Sequence, residues 1–106
     1  MDTKLLTILG FILSVIFVTV SSNAYSDNKD TGQVKLLTCV ACHGADGIGK
    51  SPQYPNLNGQ KLPYLIKQLK AFRSGERKAP DMARMARMLT DEEIAYVAEY
   101  YSKLAD

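Results

Sequence analysis

The sequence predicts a small all-α domain of three to five helices. At 106 residues the chain holds one domain of this size. After the N-terminal segment it contains no run with the alternating pattern of a β-strand. Two later segments, 62–74 and 91–104, carry apolar residues at helical spacing, and the second follows a capping-box sequence. These features favour helices packed on one another around a small core.

The N-terminal segment has the pattern of an export signal. Lys4 precedes an apolar run over residues 5–20, and small residues follow that run. As a helix, sixteen residues reach about 24 Å, which is short of a ~30 Å hydrocarbon core. Export followed by removal is therefore the preferred interpretation, and an uncleaved, tilted anchor is the alternative.

The expected cleavage site lies before Asp27, where Ala24 and Ser26 provide small side chains at positions −3 and −1. Cleavage directly after Ala24 is the alternative. We therefore predict a signal peptide over 1–26 and a mature domain over 27–106. The mature domain is expected in the periplasm, with no stable membrane insertion.

A first helix is expected to begin at Asp30 or Thr31 and to run to about Val40. Residues 27–30 are interpreted as a solvated lead-in to this helix. Its predicted apolar side consists of Val34, Leu37 and Ala41. Gly32 occupies the first turn, where glycine costs about 1 kcal/mol relative to alanine, so a close helix crossing is a plausible reason for it.

The sequence Cys-Val-Ala-Cys-His-Gly at residues 39–44 carries the strongest chemical signal. C-x-x-C-H is the pattern of a c-type haem attachment site. On a helical turn Cys39, Cys42 and His43 share one face, so a single planar ligand can meet all three. The two sulfurs would form thioethers with the porphyrin, and His43 would be the proximal iron ligand.

Two other interpretations of this motif are weaker. A structural zinc site needs four Cys or His ligands, and the chain has two cysteines and one histidine in total. A thioredoxin-like redox pair would need a preceding strand within a βαβ pattern, which the sequence lacks.

Residues 44–59 are predicted to form a loop because glycine and proline recur through them. The loop contains Pro52 and Pro55, and a proline carbonyl folded back onto His43 could accept a hydrogen bond from its Nδ1–H group. Such a bond would fix the imidazole tautomer and raise its basicity as a ligand. Leu57 is expected to cover the proximal side of the porphyrin ring.

The second helix is predicted over 62–74, with Pro63 in its first turn and Gly75 at its C-terminal stop. Its apolar stripe consists of Leu62, Leu65, Leu69 and Phe72. The final helix follows a capping box between Thr90 and Glu93, with Leu89 and Ile94 as its hydrophobic staple. Either of two tyrosines in this helix, Tyr96 or Tyr100, could pack against Gly32.

Residues 76–89, here called the methionine segment, contain every methionine that remains after signal removal. Methionines at three-residue spacing are often flexible core filler. Because His43 is the only histidine, however, a second strong iron ligand must come from methionine, or less readily from lysine or tyrosine. We expect one of Met82, Met85 and Met88 to be the distal ligand.

Together these residues resemble class I c-type cytochromes, specifically the small cytochrome c553 and single-haem cytochrome c4-like branch. The resemblance covers residues 39–47, 55–60, 64–69, the methionine-bearing loop and 89–101. It implies that Pro55 orients the imidazole, that Gly32 packs against Tyr100, and that Met82 is the distal ligand. It also implies a periplasmic electron carrier with one covalent haem c and redox proteins as donor and acceptor, with no enzymatic activity.

The charge distribution limits the possible partners. The formal net charge is +2, so nucleic-acid binding is not indicated. Residues 61–87 carry eight Lys or Arg against two acids, a surface that could steer acidic partner proteins. Gln60, Tyr64 and Arg73 are candidates for contacts with the haem propionates.

Two rival functions remain at this stage. One is a haem enzyme with an open sixth coordination position, which would bind small ligands at the iron. The other is the haem subunit of a larger dehydrogenase complex.

Overall fold

A computed structural model describes residues 24–106, with side chains from Lys29 onward. Within this range the chain forms four helices and no strand, which confirms the predicted all-α fold. The helices are α1 (Ala24–His43), α2 (Leu62–Ser74), α3 (Pro80–Ala86) and α4 (Asp91–Ser102). Apart from its last three residues, the predicted signal peptide over 1–26 lies outside the described residues. No helix within the described range is both long and apolar enough to cross a membrane.

Helix α1 is longer than predicted at both ends. It already includes residues 27–30, so the solvated lead-in and the predicted start at Asp30 or Thr31 are wrong. At the other end the helix continues through His43 and stops at Gly44, whose φ of 81° only glycine adopts readily. The Gly44 N–H donates to the Val40 carbonyl at 2.9 Å, which closes the last turn. The haem motif is therefore the last turn of the helix.

The buried side of α1 also differs from the prediction. Val34 and Leu37 are 61% and 65% exposed, and Ala41 is exposed as well, so the predicted apolar side faces solvent. Leu36, only 7% exposed, provides the core contact instead. On a helix Gly32, Leu36 and His43 share one face, and all three are buried. This face is buried because it packs against α4.

Gly32 marks the crossing of α1 and α4. A Cβ atom at this position would lie 2.7 Å from Cγ of Tyr96, closer than van der Waals contact allows. The prediction of a close crossing is confirmed, but the partner implied by the family resemblance, Tyr100, is wrong. Tyr100 lies one turn further along α4, and its hydroxyl donates to the Ala45 carbonyl.

Helices α2 and α4 have the predicted ends. Helix α2 spans Leu62–Ser74 and is stopped by Gly75, whose φ is 83°. Helix α4 begins with the predicted capping box: the Glu93 N–H donates to Thr90 Oγ1 at 3.2 Å, and the Thr90 N–H donates to Glu93 Oε2 at 2.9 Å. These local signals place both helix boundaries without reference to the rest of the fold.

The methionine segment, which was expected to be a loop, contains the short helix α3. Pro80 occupies its first turn, where the missing N–H group has no helical partner to lose. Seven residues are too few for a helix that is stable alone, so α3 depends on its packing against α2.

The core joins three of the helices. Its buried cluster combines one residue of α1, one of α2 and three of α4: Leu36, Leu65, Val97, Ala98 and Tyr101. Helix α4 packs on both α1 and α2, and α3 packs on α2. The haem motif at the end of α1 is thus held by α4, while the methionine segment is held by α2.

Candidate haem site

The two thiols and the imidazole of the motif lie on the last turn of α1. Cys39 and Cys42 are half-buried and are not joined in a disulfide. Burial raises the pKa of the Cys39 thiol, and its Sγ lies 3.6 Å from the Lys35 carbonyl. Both sulfurs are therefore free to be alkylated by a ligand that reaches this face.

The imidazole of His43 is oriented by the loop that follows it. The ring is 7% exposed, and its Nδ1 lies 2.8 Å from the Pro55 carbonyl oxygen. A carbonyl can only accept, so Nδ1 carries a proton, and Nε2 is the ring nitrogen left to bind a metal. This is the hydrogen bond expected from the sequence, and it leaves one nitrogen suited to a metal.

Backbone hydrogen bonds hold this loop in place. The Lys50 N–H donates to the Cys42 carbonyl at 2.9 Å, and the Leu57 N–H donates to the Gly47 carbonyl at 2.7 Å. Leu57 is half-buried and packs against the core cluster. Pro55 lies between these anchors, so its carbonyl is fixed relative to the end of α1.

Two tyrosines of α4 tie the last helix to the haem motif, a feature that the sequence interpretation missed. The buried Tyr101 hydroxyl donates to the Gly44 carbonyl at 3.1 Å, and the Tyr100 hydroxyl donates to the Ala45 carbonyl at 2.5 Å. The Tyr101 ring also meets the His43 ring edge-on, with 6.5 Å between centroids. The acceptors are backbone carbonyls, which every residue has, so the residue types at positions 44 and 45 do not predict these hydrogen bonds. The pair of adjacent tyrosines is the only feature of the sequence that could have suggested them.

Tyr54 covers the motif from the loop side. Its ring lies 6.4 Å from the His43 ring, measured between centroids. A hydrogen bond with Cys42 raises the pKa of the Tyr54 hydroxyl, and the Asp81 carboxylate adds a smaller effect in the same direction.

The three methionines differ in burial. Met82 and Met85 are half-buried on α3, whereas Met88 follows the helix and is 47% exposed. Arg73, one of the expected propionate contacts, instead donates to the Leu89 carbonyl and pairs with Asp91. The other two candidates, Gln60 and Tyr64, are exposed.

The donor set fits a porphyrin iron better than a bare metal ion. Among residues 24–106 no three His, Cys, Asp or Glu side chains are grouped so that they could hold a metal. The motif instead supplies two free thiols for covalent attachment and one imidazole whose Nε2 is not used by the Pro55 hydrogen bond. An all-α fold with this motif at the end of its first helix defines a c-type cytochrome.

Comparison with known proteins agrees with this class. Residues 30–105 match the family model described as cytochrome c. The chain is 53% identical over 74 residues to cytochrome c-554(548) of Halomonas halodenitrificans, which covers 67% of this chain and 89% of that protein. The solved structure of cytochrome c4 from Acidithiobacillus ferrooxidans matches with a TM-score of 0.58 and 41% identity, over 62% of this chain and 38% of that one.

A third relative is named for its redox role. The thiosulfate dehydrogenase electron acceptor of Stutzerimonas stutzeri is 44% identical over 69 residues, which is 62% of this chain and 32% of that protein. This chain therefore spans most of the first relative but only about a third of the other two.

The chain belongs to the cytochrome c family. It carries one covalently bound haem c at the motif formed by Cys39, Cys42 and His43. It is an electron carrier similar to cytochrome c4.

Proposed function

We propose that the chain is a periplasmic single-electron carrier whose haem iron is held by His43 and Met82. Cys39 and Cys42 form the thioethers, and Pro55 and Leu57 support the proximal side. The observation that carries this proposal is the 2.8 Å contact between His43 Nδ1 and the Pro55 carbonyl, which prepares Nε2 as a ligand.

The haem supplies a reversible one-electron change at iron, and the chain controls the environment of that change. The Pro55 carbonyl orients His43 and raises its basicity as a ligand. A methionine thioether is a neutral sulfur ligand and favours the reduced state, so it raises the potential. With both axial positions filled by protein, no open position is left for a substrate, which argues against a haem enzyme.

Met82 is chosen over its neighbours on two grounds. Its position before the cap of the last helix matches the family pattern, and its side chain is half-buried on α3. Met85 is equally half-buried, so it is the natural competitor, whereas Met88 is exposed.

The ligation is tested on the oxidised holoprotein by following the sulfur-to-iron charge-transfer band. We expect Met82→Ala to abolish the band, while Met85→Ala and Met88→Ala retain it. Loss of the band only in Met85→Ala would move the ligand to Met85. Absence of the band in the unaltered protein would refute methionine ligation and favour the haem enzyme.

Export is supported by the sequence of residues 1–26, and its test is the mass of the purified protein. A mature chain starting at Asp27 is expected in the periplasmic fraction. An intact N-terminus retained with membranes would instead support the uncleaved anchor.

The partners are proposed to be redox proteins with acidic docking surfaces. Several cations have no ion-pair partner among the described residues: Lys61, Lys67, Lys78 and Arg87. The name of one relative makes a dehydrogenase a candidate electron donor. Rates of reduction by such a donor should fall as salt rises, because screening weakens steering. Rates that are independent of salt would refute this steering.

A further inference from the structure

We propose that Arg73 and Arg77 fasten the two ends of the methionine segment to α2 and thereby keep the distal methionine on the iron. This inference rests on the proposed methionine ligation. Both arginines act as positioning residues, since neither needs to touch the iron or its ligands.

Arg77 fastens the beginning of the segment. Its backbone N–H donates to the Ala71 carbonyl at 3.1 Å, and its guanidinium donates to Gln68 Oε1 at 2.8 Å. The guanidinium carbon also lies 4.5 Å from the centroid of the Phe72 ring, which is a cation–π distance. Three contacts thus hold one residue of the segment against the last two turns of α2.

Arg73 fastens the end of the segment. One guanidinium nitrogen donates to the carbonyl of the buried Leu89 at 3.1 Å. A second nitrogen pairs with Asp91 at 2.5 Å, at the start of α4. The side chain is about a third exposed, so these contacts are partly shielded from water. Arg73 therefore links α2, the end of the methionine segment and α4.

Between these two points the segment is held to α2 by the packing of α3, and no hydrogen bond or ion pair among the described residues joins residues 78–88 to α2. Helix α3 is only seven residues long, so it contributes little stability by itself. Its ion pair, between Arg84 and Asp81 at 2.7 Å, is exposed and internal to the helix. That pair stiffens α3 but does not connect it to α2. Among the described residues, side-chain hydrogen bonds therefore join the methionine segment to α2 only at its two ends, and they add to the packing of α3.

The planar guanidinium explains why arginine serves at both points. It presents several N–H donors in fixed directions, so one side chain can bind two acceptors at once. Lysine has a single ammonium group and would keep the charge while losing part of the contact geometry. Arg73→Lys is therefore expected to fall between the unaltered protein and Arg73→Gln.

The test uses the oxidised holoprotein and imidazole as an external ligand. Imidazole binds to the iron only when the methionine has left, so its apparent affinity reports how often the segment opens. We expect Arg73→Gln and Arg77→Gln each to raise that affinity about tenfold, as loss of a charge-assisted hydrogen bond predicts. The matched control, Arg84→Gln, removes the same charge from α3 itself and should leave the affinity unchanged.

A second control separates positioning from loss of global stability. Gly32→Ala disturbs the α1–α4 crossing, away from the methionine segment, and should leave imidazole affinity unchanged even though the protein unfolds more easily. If Arg73→Gln does not fold, Asp91→Asn and Arg73→Lys test the same link with smaller changes.

Two results would overturn the proposal. Imidazole affinities of the Arg73 and Arg77 variants equal to that of the unaltered protein would show that neither residue retains the ligand. An equal rise in Arg84→Gln would show that charge alone is responsible. Failure of the methionine ligation is distinguishable, because the unaltered protein would then lack the charge-transfer band.

Discussion

The Tyr101 hydroxyl donates a hydrogen bond to the Gly44 carbonyl at 3.1 Å, so the last helix is tied to the residue that follows His43. Both groups are buried, and burial raises the pKa of Tyr101, so this hydroxyl stays a donor at neutral pH. The pair therefore connects the stability of α4 with the orientation of the haem motif.

Tyr101→Phe is expected to lower the free energy of unfolding by about 1 kcal/mol, the typical value of one buried hydrogen bond. It should also alter the imidazole orientation, because Gly44 lies next to His43. Chemical denaturation measures the first effect. The paramagnetic shifts of the haem methyl protons in the oxidised protein measure the second.

Tyr100→Phe is the matched control for this variant. It removes the neighbouring hydroxyl, which binds Ala45 at the surface. We expect a smaller loss of stability and unchanged paramagnetic shifts. Equal shifts in both variants would contradict a special role for Tyr101.

Gly32→Ala places a methyl group 2.7 Å from Cγ of Tyr96. Overpacking of this kind costs about 1–3 kcal/mol, while the gain in helix propensity is about 1 kcal/mol. A net destabilisation on the order of 1 kcal/mol is therefore expected from thermal or chemical unfolding.

The sign of the Gly32→Ala effect should depend on Tyr96. In a Tyr96→Ala background the clash disappears and only the gain in propensity remains, so the same substitution becomes neutral or stabilising. A loss of the same size in both backgrounds would show that the crossing is not the reason for the glycine.

The helix ends that could be predicted are those with local signals. Gly75 stops α2 and the Thr90–Glu93 capping box starts α4 through contacts within a few residues. The hydrogen bond between His43 and Pro55 was also predictable, because the family resemblance implies that the proline twelve positions after His43 orients the imidazole.

The buried face of α1 could not be predicted in the same way. Residues at positions 34, 37 and 41 fit helical spacing as well as residues at positions 32, 36 and 40 do. The choice between these faces depends on Tyr96 in α4, sixty-four positions after Gly32. A contact between residues so far apart in sequence cannot be predicted from the spacing of apolar residues within one helix.

The capping box offers a direct stability test. Thr90→Ala removes the side-chain acceptor of the Glu93 N–H group, and loss of such a cap costs about 1 kcal/mol. Thr38→Ala is the control, since the Thr38 hydroxyl binds Lys35 within an exposed part of α1. Urea denaturation should show a clear loss for the first variant and little change for the second. Similar losses in both variants would mean that the cap contributes nothing specific.

The ion pair of Asp91 predicts how stability depends on pH. A hydrogen bond from Arg73, aided by the charge of Lys70, holds the pKa of Asp91 below its ordinary value. Because the folded-state pKa is depressed, this stabilisation is present in full above the unfolded-state pKa, which is about 3.9. It is lost as the pH falls through the lower folded-state pKa. The unfolding free energy of the unaltered protein should therefore fall more steeply below about pH 4 than that of Asp91→Asn, as denaturation at a series of pH values would measure.

Glu92→Gln is the control for this prediction, because it removes a neighbouring exposed acid without a described ion pair and should keep the steep pH dependence. Parallel pH profiles for the unaltered protein and Asp91→Asn would contradict the assignment of this acid sensitivity to the Arg73–Asp91 pair.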